Sequence, residues 1–374
     1  MKVEELFEVV AADFYTGVPD SQLKALGDYL MSSYGIDQEH HMIAANEGNA
    51  VALATGYHLA TGKIPVVYLQ NSGEGNIINP VTSLLSEQVY AIPMVFLIGW
   101  RGEPGIEDEV QHVCQGKVTI KLLDDINIKS FIINQETTKQ ELEITMEAFK
   151  DSLLEGRSVA FVIGKGALSY AGEIKYTNNN QLSRETVIEQ IVNISKDDPI
   201  ISTTGKASRE LFEIRQRRGQ EHKYDFLTVG SMGHSSSIAL GVAINKPEVK
   251  LWCIDGDGAL LMHMGAMAII GANKPRNLIH VIINNEAHES VGGLPTVGKD
   301  IDIAAIAKAC GYPNTSVVND ISSLERALRA ARACEELSLI EVKCSLAVRN
   351  DLSRPTISTL KSKQDFMAYL QSLK

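Results

Sequence analysis

Two short apolar runs, Val249-Lys-Leu-Trp-Cys-Ile254 and Leu278-Ile-His-Val-Ile-Ile283, flank a segment at 259–272 rich in Leu, Met, Ala and Ile. The runs lack polar alternation, and the first closes on glycine, so they read as strands buried on both faces. The segment between them has a period compatible with a buried helix and stops at the Lys274-Pro275 break. A βαβ unit of this kind makes its strands parallel neighbours, with helices covering the sheet. The same alternation runs along the chain: Ala160-Phe-Val-Ile163 closes one set of elements, a helix starts over 184–194, and Ser338-Leu-Ile-Glu-Val-Lys-Cys344 reads as a last strand. Between the sets, the stretch from Ala171 to Ser183, with Tyr176-Thr-Asn-Asn-Asn-Gln181, is polar and unpatterned. We therefore expect an α/β fold of two doubly wound parallel-sheet domains, 1–172 and 184–374, joined by a linker at 173–183.

In such sheets ligands bind at the carboxyl edge of the strands. The first run is followed by Gly256-Asp257-Gly258-Ala259, and the second by Asn284-Asn285. Gly-Asp-Gly alone is ordinary turn chemistry. With the Asn pair on the second strand of the same unit, Asp257 and Asn285 become hard oxygen ligands and the glycines let backbone approach an anion, a set suited to Mg²⁺ or Ca²⁺ holding a diphosphate.

The interval from Gly256-Asp-Gly258 to Asn284-Asn285 resembles the signature of the thiamine diphosphate enzymes. The resemblance implies that Asp257, the Asn285 side chain and the Ala287 carbonyl hold the metal, normally Mg²⁺ with Ca²⁺ or Mn²⁺ as alternatives. The amides of Gly258 and Ala259 would then open a helix toward the phosphates. Upstream, Ala45-Asn46-Glu47-Gly48-Asn49-Ala50 resembles the segment whose glutamate bonds the aminopyrimidine ring, which makes Glu47 the matching residue. A carboxyl group on one ring nitrogen favours the tautomer whose far-side imine takes the proton of the thiazolium carbon. Standing alone, Glu47 reads as a helix N-terminal charge.

Further motifs match with departures. Thr16-Gly17-Val18-Pro19-Asp20 resembles the family's Gly-Val-Pro-Gly turn, with Asp20 replacing glycine. Tyr68-Leu-Gln-Asn71-Ser72-Gly73-Glu74-Gly75 resembles the Ser-Gly-Pro-Gly loop facing the pyrimidine, with Glu74 where proline is common and Asn71 and Gly73 as cofactor contacts. Met232, in Gly230-Ser-Met-Gly-His234, stands where the family wedges a large apolar residue between the two rings. Met suits that role, although most Met residues are simply core. Thr203-Thr204-Gly205-Lys206 stands where diphosphate contacts occur in the family, with Gly205 and Lys206 the candidates.

The resemblance spans roughly 10–345, in the order pyrimidine domain then diphosphate domain, and leaves no room for the middle domain common among the family's decarboxylases. That build, with Asp20-Ser21 and Glu107-Asp-Glu-Val-Gln-His112, is similar to the phosphonopyruvate decarboxylase branch, with the sulfopyruvate decarboxylases as near relatives. It implies decarboxylation of a small anionic 2-oxoacid. It also implies a homo-oligomer, at least a dimer, because in this family the glutamate of one subunit reaches the cofactor held by another. His112, His234 and His288 lie beside the motifs and are candidates for proton transfer, with His40 and His41 a further choice. Arg101, Lys299, Arg209 and Lys117 are candidates for the substrate anion, each equally readable as a solvated charge, with Asp20 and Ser21 as candidates for further hydrogen bonds to it.

The 374 residues and the net charge of −11 disfavour a nucleic-acid role. No apolar stretch is long enough to cross a membrane, and no signal peptide is recognisable. Five scattered cysteines without metal spacing fit a reduced cytoplasmic setting. An acetolactate synthase-like carboligase and a noncatalytic cofactor-binding regulator remain alternatives. A nicotinamide dehydrogenase is disfavoured, since Gly164-Lys-Gly166 breaks off and Leu261 stands where a third glycine would follow Gly256-Asp-Gly258.

Overall fold

The computed structural model describes residues 1–346, 349 and 351–373. The chain divides into two compact units, Met1–Lys175 and Tyr176–Lys374. Each is built on a six-stranded, all-parallel sheet.

In the first unit the strands are β1 (Tyr15–Gly17), β2 (His41–Ile43), β3 (Val66–Gln70), β4 (Val95–Gly99), β5 (Lys129–Ile133) and β6 (Val159–Ile163). Their order is β2-β1-β3-β4-β6-β5. Successive side chains point to opposite faces, so each central strand feeds two cores. Val66, Tyr68, Val95, Leu97, Phe161 and Ile163 pack on one face, against Leu6, Leu26 and Leu142. Val67, Leu69, Phe96, Ile98, Ala160 and Val162 pack on the other, against Val51, Ile77 and Leu123. This is why the runs are apolar without alternation.

The second unit repeats the plan. Its strands are β7 (Ile200–Ser202), β8 (Asp225–Leu227), β9 (Leu251–Gly256), β10 (Leu278–Asn284), the short pair β11 (Ala287–His288) and β12 (Leu294–Pro295), then β13 (Asn314–Val318) and β14 (Ser338–Lys343). The sheet order is β13-β14-β10-β9-β7-β8. Trp252, Ile254, Val281, Ile283 and Ile340 serve one core, and Leu251, Cys253, Ile282 and Leu339 the other.

In both sheets the chain steps outward on one side of its first strand and then returns to the other side. The order therefore reverses between β1 and β3 and between β7 and β9. A cleft opens at the carboxyl edge of such a switch point.

Three expectations need correction. The segment 259–272 is not one helix but two, Asp257–Met262 and Gly265–Asn273, broken at His263 by its non-helical backbone. The stretch from Tyr176 to Gln181 is not a free linker. Asn178 donates to the carbonyls of Asn285 and Cys344, Asn180 donates to Glu286 and Cys344, and Leu182 bridges to Cys344. Beyond the last strand a helix, Thr359–Ser372, buries Phe366 on the second sheet, an element absent from the sequence reading.

Candidate functional site

Every motif of the second unit lies just past the carboxyl end of its strand: Gly205 and Lys206 after β7, Met232 after β8, Asp257 after β9, and Asn285 after β10. Asp257 is 2% exposed and accepts a hydrogen bond from Thr296 Oγ1 at 2.5 Å. Burial pushes its carboxyl up to about 6. The adjoining asparagines divide their work. Asn284 is structural: its amide donates to Gly298 O at 2.7 Å and Glu341 Oε1 at 2.8 Å, and its Oδ1 accepts Glu286 N. Asn285 instead donates to Glu289 Oε2 at 3.0 Å, while its Oδ1 accepts Ala287 N at 3.3 Å.

The corner between them is held under strain. Glu286 has φ of 65°, a conformation uncommon for a side chain of its size, and β11 with β12 folds back immediately afterwards. Thr296 N bonds Glu286 O at 2.9 Å, closing the corner. Among the described residues no three His, Cys, Asp or Glu side chains gather to hold an ion. A cation here would depend on a mixed oxygen set, Asp257 carboxylate, Asn285 amide oxygen and Ala287 carbonyl, which is hard-cation chemistry.

The surroundings are close. A Cβ at Gly258 would lie 3.1 Å from the His288 ring, so the backbone at 258 passes beneath that imidazole. Burial lowers His288 to about 4, leaving a neutral ring at physiological pH, an acceptor or tautomeric relay rather than an acid. Gly256 and Ala259 flank this turn, Ala259 in the helix that Asp257 opens. Lys206 opens the Lys206–Arg217 helix behind Gly205 and reaches Glu289 Oε1 at 3.3 Å. Arg209 lies on that same helix. Met232 is half-buried in the loop after β8, and His234 is exposed, with its ring 4.3 Å from that of His263. Lys299 is exposed, next to Gly298.

The first unit gathers its motifs at the equivalent edge. Glu47 begins the Glu47–Thr61 helix, which Asn46 caps through Asn49 N. Its side chain is buried and accepts Asn76 Nδ2 at 2.6 Å. A Cβ at Gly73 would come within 2.3 Å of Glu47 Oε1, so only glycine lets the loop after β3 close over this carboxylate. Asn71 has its amide engaged within the fold: Oδ1 accepts Arg101 N at 3.0 Å, and Nδ2 donates to Arg101 O and Thr119 Oγ1. Its side chain clamps β3 to the loop after β4, leaving its neighbour Gly73 the closer match to a cofactor contact.

Four other candidates come together. Asp20 is buried, accepts Gln70 Nε2 at 2.5 Å and is pushed by burial up to about 6. Arg101 Nη1 donates to Ser21 Oγ at 3.0 Å and forks onto Asp108, Nε to Oδ2 at 2.8 Å and Nη2 to Oδ1 at 2.5 Å. His112 stands 3.5 Å from the same carboxylate, its imidazole lowered by burial and by the Arg101 charge. Lys117 is exposed on the Val110–Asp125 helix. His40 is paired with Asp37 near the surface, and His41 is a buried clamp, bonding Tyr68 OH at 2.9 Å and Gly35 O at 2.7 Å. Both have structural partners.

Sequence reading missed Asp108, Glu289, Arg184, Thr296, His263 and the burial of Glu74. Asp108 lay in a run already singled out, and its spacing from His112 is that of helix neighbours. Glu289 bonds Asn285 only four residues away but is fixed by Arg184 from far along the chain, and the rest likewise work through long-range pairing that no local pattern announces.

Comparison with known proteins places the whole chain in a family. Residues 4–137 match the thiamine pyrophosphate enzyme N-terminal TPP binding domain, and residues 203–342 match the C-terminal TPP binding domain. The chain is 32% identical to a phosphonopyruvate decarboxylase of Streptomyces viridochromogenes over 95% of its own length and 90% of the relative's. A phosphonopyruvate decarboxylase of Streptomyces hygroscopicus is also 32% identical, over 91% of this chain and 86% of that one. A sulfopyruvate decarboxylase of Methanosarcina acetivorans is 28% identical over 91% and 90%. With both binding domains in order and relatives aligned end to end, the chain belongs to the thiamine pyrophosphate enzyme family, on the branch of the phosphonopyruvate decarboxylases.

Proposed function

We propose that the chain decarboxylates 3-phosphonopyruvate to phosphonoacetaldehyde and CO₂, using thiamine diphosphate and a divalent cation. The observation that carries this is the near full-length similarity to phosphonopyruvate decarboxylases, read with an oxygen-donor corner at Asp257 and Asn285. When bound, thiamine diphosphate would supply the nucleophile and the electron sink that decarboxylation of a 2-oxoacid requires.

The residues divide the remaining work. Asp257, Asn285 and the Ala287 carbonyl would hold Mg²⁺, with Ca²⁺ or Mn²⁺ as substitutes, and the backbone at Gly256, Gly258 and Ala259 would receive the diphosphate with Gly205 and Lys206. Met232 would pack against the bound cofactor, and Glu47 would hold a proton for its pyrimidine ring. Asp20, Ser21, Arg101 and Lys299 receive the substrate anion, with the Arg101 fork oriented by Asp108. His112 and His234 move protons at the oxo oxygen and carbon, and the neutral His288 orients the substrate.

Residues 1–172 form the pyrimidine-binding domain, 184–374 the diphosphate-binding domain, and 173–183 their connection. The chain works as a homo-oligomer of at least two copies, Glu47 of one serving the cradle of another. No helix among the described residues is long and apolar enough to cross a membrane, and five free thiols suit a reducing cytoplasm.

Product analysis tests the reading. Incubation with 3-phosphonopyruvate, thiamine diphosphate and Mg²⁺ is expected to release CO₂ and phosphonoacetaldehyde in equal amounts. A carbon–carbon coupled acid in place of the aldehyde would make the protein a carboligase, and release of neither would overturn the proposal.

A further inference from the structure

Asn285 can hold a cation only through its oxygen, and an asparagine amide turned over presents its NH₂ instead. In this chain the choice is made four residues downstream. Glu289 Oε2 accepts Asn285 Nδ2 at 3.0 Å. A carboxylate has no proton to give, so the amide settles with NH₂ toward Glu289 and Oδ1 on the other side, where Ala287 N donates to it at 3.3 Å. Glu289 is itself immobilised. Its side chain is 10% exposed, Arg184 Nη1 pairs with Oε2, and Lys206 Nζ reaches Oε1 at 3.3 Å. Arg184 is fixed in turn by a fork onto Glu210, at 2.7 and 2.8 Å.

We propose that Glu289, held by Arg184 and Lys206, is a positioning residue that sets the Asn285 oxygen toward the cation. This rests on the reading of Asn285 as a ligand. It assigns a role to two charges that the cradle itself does not use, Arg184, which opens the unit's first helix, and Glu289, which follows β11; with Lys206 after β7 they lock one amide. Groups that orient a metal ligand from behind contribute about 10–100-fold to metal affinity. A carboxylate there could also act through its charge alone, and the two roles separate experimentally. Glutamine at 289 keeps an oxygen to accept the Asn285 amide and loses the charge, whereas alanine loses both.

The experiment is calorimetric titration of Mg²⁺ into the full-length chain at fixed thiamine diphosphate, with melting temperatures recorded without metal. Glu289→Ala, with Glu289→Ser as a second truncation should alanine disturb folding, is expected to weaken Mg²⁺ by about 10–100-fold, and Glu289→Gln by less than about 3-fold. In an Asn285→Ala background, which itself binds Mg²⁺ weakly, adding Glu289→Ala should change affinity by less than about 2-fold, since the two act as one unit. The inference is overturned if truncation lowers only the melting temperature and leaves Mg²⁺ affinity intact, or if Glu289→Gln weakens binding as much as alanine does. If Asn285→Ala and Asp257→Ala both leave Mg²⁺ affinity unchanged, the ligand reading fails first and takes this inference with it.

Discussion

Glu47 and Glu74 are both buried beside Gly73, and their partners separate their chemistry. Glu47 accepts the Asn76 amide, and a glutamine there would keep an oxygen for that bond. We expect Glu47→Gln to lose about 10²–10⁴-fold in decarboxylation rate, the range for a missing proton-transfer group, with its melting temperature nearly unchanged. Full activity in this variant would remove Glu47 from the mechanism. Glu74 accepts from Gln115 Nε2 at 3.1 Å and from Thr119, both neutral groups, and burial pushes its carboxyl up to about 8. The sign follows from linkage: the folded chain keeps this proton while the unfolded chain has released it, so stability falls as pH rises from the ordinary value near 4.5 through about 8. Glu74→Gln should abolish that decline and raise the melting temperature at pH 8 by about 5 °C, for roughly 2 kcal/mol relieved, with little change at pH 5. Parallel melting curves for the two proteins across pH 5–8 would contradict it.

At the scale of elements, contact between backbones limits what the helices tolerate. The Gly265–Asn273 helix lies so close to the chain after Ile303–Ala309 that a Cβ at Gly271 would stand 2.0 Å from the Cys310 carbonyl oxygen. Both groups are backbone, so neither can rotate away, and Gly271→Ala should cost about 1–3 kcal/mol in denaturant unfolding, as overpacking does. An unchanged midpoint would mean that this helix can shift freely. The C-terminal strap is held differently. Although burial opposes it, Ser353 and Arg349 bring Glu213 down to about 2. A lowered carboxyl stabilises above its ordinary value, so the hydrogen-exchange protection factors of the Thr359–Ser372 helix, taken relative to the intrinsic rate at each pH, should fall as pH falls from about 4.5 toward 2, and Glu213→Gln should show lower protection already at pH 7.

Strands such as Val159–Ile163 and Leu278–Asn284 were legible because every side chain on them is buried, one set on each face. The positions of Asp257 and Asn285 were legible because each follows an apolar strand of one βαβ unit, whereas the sharp backbone turn beside them falls on Glu286, which no glycine announces. The break at His263 was not, since its segment stays apolar through it. Nor was the anchoring of Asn178 and Asn180, whose polarity reads as solvent exposure until their carbonyl partners, scores of residues away, are known.

For the whole molecule, two sheets share the same reversal of strand order, and the proposed reaction draws on Glu47 from one unit and Asp257 from the other. If one copy's Glu47 serves another copy's cradle, two dead variants should rescue each other. Glu47→Gln and Asp257→Ala, each inactive alone, should regain roughly a quarter of wild-type activity when co-assembled, because about half of random dimers are mixed and carry one intact site. No recovery in demonstrably mixed oligomers would show that each chain completes its own site. The most direct test of the central claim is CO₂ release from 3-phosphonopyruvate, measured with thiamine diphosphate and Mg²⁺ together and with each omitted, beside 3-sulfopyruvate under the same conditions. The account predicts turnover of the phosphonate that requires both additions and exceeds that of the sulfonate. Turnover indifferent to either addition, or confined to the sulfonate, would contradict it.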